Sequence, residues 1–191
     1  DYVFTNHFSV TWNKICIWTT FVIILISTDK GLTCTVSQSP IPDFGGGING
    51  EESGDLAFTS ETNGILQTSD YLLFNSTDGG DTWSEVVWAG VLRNFGVSEI
   101  PGLDNTYISV GEDLDAVRGS SFSTDGGLNW TNINDNPDLT YVDGGVVAFK
   151  DSDTGYASSF STSAILGGIF TWNGNSLATN VFSNDKGFTA F

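Results

Sequence analysis

Three observations predict an all-β chain, a β-propeller fragment of about four four-stranded blades. A turn phrase built from Ser, Asp, Gly and an aromatic returns along the chain at a near-constant spacing. The composition is that of short strands joined by turns. There are 23 glycines and 13% aromatics in 191 residues, Ser, Thr, Asn and Asp are abundant, and the helix fillers Lys, Ala and Glu are sparse. No long stretch shows an apolar period of about 3.6 residues.

The phrase is clearest at Asn75–Trp83, NSTDGGDTW, and again at Phe122–Trp130, FSTDGGLNW. We call it the box. Its positions are Ser76, Asp78, Gly80, Thr82 and Trp83 in one copy and Ser123, Asp125, Gly127, Asn129 and Trp130 in the next. One period upstream, STDKGLTC supplies Ser27, Asp29, Gly31 and Thr33, with Cys34 in the Trp place. One period downstream, TWNGNS is a decayed copy with Thr171 and Asn173. The first positions are 27, 76, 123 and 171, so the successive differences are 49, 47 and 48.

The flanks repeat as well. Each box follows an apolar strand: FVIILI, YLLF, SSF and GGIF. Further upstream, Gly54–Leu66 (GDLAFTSETNGIL) matches Gly145–Ala157 (GVVAFKDSDTGYA), and Asn105–Val117 is a looser copy. One unit therefore reads strand, acidic turn with Gly, strand, strand, box, strand with Trp, which is a propeller blade. The expected blades are roughly 1–45, 46–95, 96–142 and 143–191.

The first of these has two readings. Ile15–Ile26, ICIWTTFVIILI, is too short for a membrane span but has the length of a signal-peptide core. It is either the strand that leads into the box at Ser27 or part of a leader over 1–36, leaving 37–191 as the partial propeller. Cys16 and Cys34 are either a disulfide or two buried free thiols. The chain starts at Asp1 and contains no Met, so a fragment or processed piece of a longer protein is expected, with the rest of the propeller outside it.

Each box residue has a structural task. A short carboxylate at Asp29, Asp78 or Asp125 can accept the backbone N–H groups of its own turn. Ser27, Ser76 and Ser123 can bond the turn from its other side, and the glycines permit positive φ. Trp83 and Trp130 each offer on the order of 200 Å² of buried area. The motif DGGD is like a piece of a calcium loop, but such a loop needs several more oxygen ligands at fixed spacing, and Leu128 stands where Asp81 does. A bracket recurs in every blade, whereas a site need not.

The boxes resemble the Asp-box, or bacterial neuraminidase, repeat, found in sialidases, some glycoside hydrolases and sortilin-like receptors. The resemblance covers nearly the whole chain and is strongest at Ser76–Trp83 and Ser123–Trp130. The fuller phrase is most similar to photosystem II stability/assembly factor-like propellers of secreted Bacteroidetes proteins. The ending Asn184–Phe191 is similar to the linker before a type IX secretion sorting domain. The resemblance implies a sialidase-like propeller in which the box lies at the outer rim of a blade and is structural. Any activity would lie at the central axis.

A sialidase needs three arginines around its substrate carboxylate, and this chain has two, Arg93 and Arg118. Tyr141 and Glu112 are present as nucleophile and helper types, with no spacing that links them. An endoglucanase needs two carboxylates across a groove. Glu112, Asp113 and Asp115, and Asp151 with Asp153, lie at equivalent turns of the repeat, where acids are common. His7 has no partner motif, the cysteines lack metal-ligand spacing, and there is no phosphate loop. No catalytic residue, cofactor or metal is therefore assigned.

The formal charge of -17, from 6 Lys+Arg against 23 Asp+Glu, excludes nucleic acid and anionic membrane surfaces as partners. No integral membrane span is expected. The expectation is a secreted or cell-surface propeller that binds a protein or glycan on one face, without catalysis. Trp88 and Tyr141 are the aromatics that could stack on a sugar. The alternative is a piece of a sialidase- or endoglucanase-like glycoside hydrolase.

Overall fold

A computed structural model describes residues 8–11, 13–19, 23–41, 54–135, 146–159, 168–172 and 188–190. Among them every regular element is a β-strand. The strands form four sheets, each the size of one repeat, in a β-propeller arrangement.

The first sheet holds β1 (Phe8–Thr11), β2 (Lys14–Trp18), β3 (Ile23–Ser27) and β4 (Thr35–Gln38), in chain order. The second holds β5 (Gly54–Phe58), β6 (Gly64–Thr68), β7 (Leu73–Ser76) and β8 (Ser84–Glu85). After β9 (Ala89–Gly90), the third holds β10 (Gly96–Glu99), β11 (Tyr107–Glu112), β12 (Arg118–Ser123) and β13 (Asn129–Asp135). The fourth holds β14 (Val146–Asp151), β15 (Thr154–Ser159), β16 (Gly168–Trp172) and β17 (Phe188–Ala190). Consecutive strands within each sheet are antiparallel, as tight turns require.

The third sheet departs from the four-stranded unit. β9 adds to the outer edge of β13 in parallel, giving the order β10-β11-β12-β13-β9. The backbone of Ala89 donates to Leu128 O at 2.9 Å and that of Val91 to Trp130 O at 3.0 Å. The approach is so close that a Cβ at Gly90, whose φ is +90°, would lie 1.9 Å from Trp130 O. Only glycine fits there.

A single sheet has too little core of its own, so each buries its two faces against its neighbours. Between the first and second sheets lie Cys16, Ile24, Ile26, Leu56, Phe58 and Leu66. Between the second and third lie Ala57, Ile65, Leu73, Val97, Tyr107 and Trp130. Between the third and fourth lie Ile108, Val110, Ile133, Val147, Phe170 and Trp172. The first strands of successive sheets contact one another, β1 with β5, β5 with β10 and β10 with β14, which sets them on the inner side of the stack.

Both flanks of the apolar run Ile15–Ile26 are strands of the first sheet, where Cys16 pairs with Ile26. The cysteines form no disulfide, which corrects the first alternative. The second alternative also fails in part. Cys16 is buried because β2 turns it toward the second sheet, while Cys34, after the exposed box turn, is exposed.

Candidate functional site

The three clear boxes share one geometry. Ser27 Oγ donates to Asp29 Oδ1 at 2.8 Å and accepts from the backbone of Gly31 at 2.7 Å. Ser76 does the same with Asp78 and Gly80, at 2.8 and 2.7 Å, and Ser123 with Asp125 and Gly127, at 2.8 and 3.0 Å. The carboxylate then accepts two more bonds. Asp29 takes the backbone N–H and hydroxyl of Thr33, Asp78 those of Thr82, and Asp125 the backbone N–H and amide of Asn129, all between 2.6 and 3.0 Å. The replacement of Thr by Asn preserves the donor.

Gly80 and Gly127 hold φ of +94° and +91°. Their carbonyls accept the indole N–H of Trp83 at 3.1 Å and of Trp130 at 2.9 Å. Cys34 cannot supply that bond. The box is also tied to the first turn of its own sheet. Lys30, Gly79 and Gly126 donate to the carbonyls of Asn13, Thr62 and Asn105 at 2.9 to 3.0 Å. The backbone N–H and hydroxyl of Thr33 hold Asp29 down to a pKa of about 2, and the hydroxyl and N–H of Thr82 do the same for Asp78. For Asp125 partial burial opposes the shift, yet the Asn129 bonds still lower it.

The fourth copy is different. Thr171 lies inside β16 and pairs with Tyr156, one residue short of the place where Ser76 pairs with Gly64. Trp172 is buried and meets Phe149 edge-on at 5.6 Å. Asn173 lies outside the described residues.

The opposite face carries the turns between second and third strands. Arg93 is fully buried beneath it. The back of the third sheet is polar here: the row Val97, Ser109, Ser121, Asn132 runs across it. The Arg93 side chain follows that row. It donates to Ser121 Oγ at 3.4 Å, Asn132 Oδ1 at 3.0 Å and the Val117 carbonyl, and its backbone N–H donates to Ser109 Oγ at 3.2 Å. It ends between Asp113 at 3.4 Å and Asp135 at 3.0 Å. It thus replaces apolar side chains as the filling between the second and third sheets.

Of the turn acids, Glu112, Asp113 and Asp151 have occupied carboxylates. Glu112 pairs with Arg118 at 2.7 Å. Asp113 Oδ1 accepts the backbone of Asp115 at 3.0 Å and of Val117 at 2.9 Å, besides pairing with Arg93. Asp151 accepts the backbone of Asp153 at 3.1 Å. Among the described residues no three His, Cys, Asp or Glu side chains are grouped to hold a metal. Trp88 is half-buried, with its indole donating to Tyr71 O at 2.9 Å. Tyr141 and His7 lie outside the described residues.

Three titratable groups inside the stack, Asp55 and Lys14 buried and Glu99 half-buried, carry no clear mark in the sequence. Asp55, on β5, accepts the backbone N–H of Val97 on β10 at 2.9 Å, and burial raises its carboxyl well above the usual range. Burial likewise pushes Glu99 up to about 7. Lys14 sends its ammonium from the first sheet into the second, onto the Gly79 carbonyl at 2.6 Å and the Glu61 carbonyl at 2.5 Å, 4.0 Å over the Phe58 ring. Burial lowers its pKa. The signal for Lys14 and Asp55 was faint: a charge inside an otherwise apolar strand phrase.

The fold defines the class of the chain as a β-propeller. No protein-family model matches it, and no curated protein matches it by sequence. Solved propellers do. The chain superposes on YCF48 bound to a D1 peptide with a TM-score of 0.55 and 15% identity, over 87% of this chain and 50% of that one. For YCF48 from Cyanidioschyzon merolae the TM-score is 0.51 at 14% identity, over 95% of this chain and 57% of that one. For the GH74 enzyme of Niastella koreensis it is 0.54 at 22% identity, over 83% of this chain and 23% of that one. The chain therefore spans about half the length of the YCF48 chains it matches. No helix among the described residues is long and apolar enough to cross a membrane.

Proposed function

We propose that the chain is part of a secreted or surface-exposed propeller that binds a protein or glycan on one face and does not catalyse a reaction. The observation that carries this is the use made of its charges. Arg93, Arg118, Glu112 and Asp113 are paired with one another or with turn backbone, so none is held ready for a substrate. The boxes, on this reading, are brackets: each carboxylate is spent on its own turn. The location rests on the resemblance of the box to repeats of secreted proteins.

The face of the second-to-third-strand turns suits the ligand. Leu72, Leu114 and Val117 are exposed there, 40%, 70% and 40%, beside exposed Asp70 and Asp115. Tyr71 binds the two turns into one surface by donating to Asp113 O at 2.8 Å. Apolar groups ringed by acids favour a peptide with basic and apolar side chains. That YCF48 holds a peptide is in keeping with a protein ligand. The GH74 likeness favours one second reading, a piece of a glycoside hydrolase.

The test is a screen against basic peptide and glycan arrays, with turnover assays on β-glucans and sialosides. Expected are peptide or glycan binding that Leu114→Ser weakens at least tenfold, and no turnover. Clear hydrolysis would establish the second reading instead.

A further inference from the structure

One pair of polar side chains is buried between the second and third sheets, where the next sheet has none. Asp55 on β5 and Gln67 on β6 are cross-strand partners. Each lies two residues along its strand from Ala57 or Ile65, and so on the same face, the one turned to the third sheet. Asp55 is 7% and Gln67 1% exposed. Gln67 lies three residues after Gly64, the partner of Ser76; the same step from Tyr107, the partner of Ser123, leads to Val110, which stands opposite Gly96. A polar pair in such a place is unfavourable unless its hydrogen bonds are met.

They are met only in part. Asp55 Oδ2 accepts the backbone N–H of Val97 at 2.9 Å. The Gln67 amide is oriented by Arg93: its Nε2 donates to the Arg93 carbonyl, so Oε1 points away from it. That Oε1 is buried and has no donor. Turning the amide over would set Oε1 against the Arg93 carbonyl, acceptor on acceptor. Among the described residues no cation takes the place of the missing donor. Of the strands packed on β5, β6 and β1 carry no charged residue, and β10 carries only Glu99, an acid. The guanidinium of Arg93, just ahead of β10, is held by Asp113 and Asp135.

One proton on Asp55 completes the pair. Burial favours the neutral carboxyl, and the single Val97 bond, which favours the charged form, does not outweigh it. An acid proton on Oδ1 gives Gln67 Oε1 its donor. We propose that Asp55 holds a proton in the closed interface and donates it in a hydrogen bond to Gln67 Oε1, and that the Gln67 amide is a two-position element set by that proton. When the proton leaves to water, Asp55 is an acceptor only. The amide then turns over, bringing Nε2 to the carboxylate, and the Arg93 carbonyl loses its donor. Asn94, the next residue, donates to Ser69 O at 2.8 Å and accepts from the backbone of Glu112 at 3.2 Å, so the switch reaches turns of both sheets.

The test is the infrared spectrum of the purified chain in D2O at about pH 7, where a solvated aspartic acid, with a pKa of about 3.9, is ionised. Expected is an acid carbonyl band that moves on carbon-13 labelling of the aspartate carboxyls, which separates it from Glu99, and that is lost in Asp55→Asn. In Gln67→Met, which removes the acceptor, the band should move to higher frequency. As pH rises it should fade with the same midpoint as a shift of the Gln67 side-chain amide signals in NMR. Circular dichroism checks that each variant keeps its β-content; should Gln67→Met fail to fold, the shared midpoint decides. Absence of the band at neutral pH, its survival in Asp55→Asn, an unmoved frequency in Gln67→Met, or Gln67 signals indifferent to its fading would each overturn the proposal. None of these outcomes depends on the ligand proposed above.

Discussion

Replacing Arg93 with Ala separates a structural cation from a substrate-binding one. Arg93 is fully buried, and its loss leaves the Val117 carbonyl, Ser121 Oγ and Asn132 Oδ1 without their donor. Each buried polar atom left unpaired costs about 1–3 kcal/mol. The pair with Asp135 adds little, because that carboxylate is 60% exposed and surface pairs are worth about 0–1 kcal/mol. Asp113, 3.4 Å away and only 16% exposed, loses a partner less screened by water. Against these stands relief of the guanidinium's desolvation, which is why the sum is less than its parts. The net loss should be about 3 kcal/mol, within the range for breaking a buried pair. With an m-value near 2 kcal/mol/M, the urea midpoint should fall by about 1.5 M. Arg118→Ala, whose partner Glu112 is reached from a part-exposed position, should cost no more than about 1 kcal/mol. A midpoint change below about 0.3 M for Arg93→Ala would refute the interior-filling role and return Arg93 to the list of candidate binding groups.

Two further outcomes concern carboxylates of opposite behaviour. Asp78→Ala removes the acceptor for the Thr82 backbone, the Thr82 hydroxyl and Ser76, and should cost about 1–2 kcal/mol in thermal unfolding. Its folded pKa of about 2 is depressed, so its contribution is present above the unfolded value of 3.8 and is lost as pH falls toward 2; the variant should show a flatter acid limb between those values. A silent substitution would remove the bracket argument. Glu99 is the reverse case: its folded pKa of about 7 is raised, so the native state holds the extra proton, and its contribution is present below 4.5 and lost as pH rises through 7. Glu99→Gln should therefore stabilise the chain at pH 8, and stability measured by urea titration should lose its downward slope between pH 4.5 and 7. An unchanged slope would show that Glu99 is solvated.

The box was legible because the bonds its own side chains make are local. Ser76 meets Asp78 two residues away and Asp78 meets Thr82 four residues away, so the pattern of residue types is the pattern of contacts. The cation that fills the second interface was not legible. Arg93 reaches Asp113, Ser121, Asn132 and Asp135, and nothing in the spacing of LRNFG marks it for burial. Lys14 is the same case, with an acceptor 65 residues on. The separation of Cys16 and Cys34 along the chain allows a pair, but strand direction decides which side chain enters an interface.

The sequence by itself determined the class of fold, the repeat and the turn chemistry, because a period near 48 residues and a five-residue bracket are properties of order along the chain. Only the tertiary structure decided what lies between the sheets. Inter-sheet packing brings together residues one repeat apart, such as Asp55 and Val97 or Thr11 and Phe58, and the burial that shifts a pKa exists only once both sheets are in place. It also decided that the third sheet takes a fifth strand, since β9 is two residues long and is held by Leu128 and Trp130 rather than by any propensity of Ala89 and Gly90.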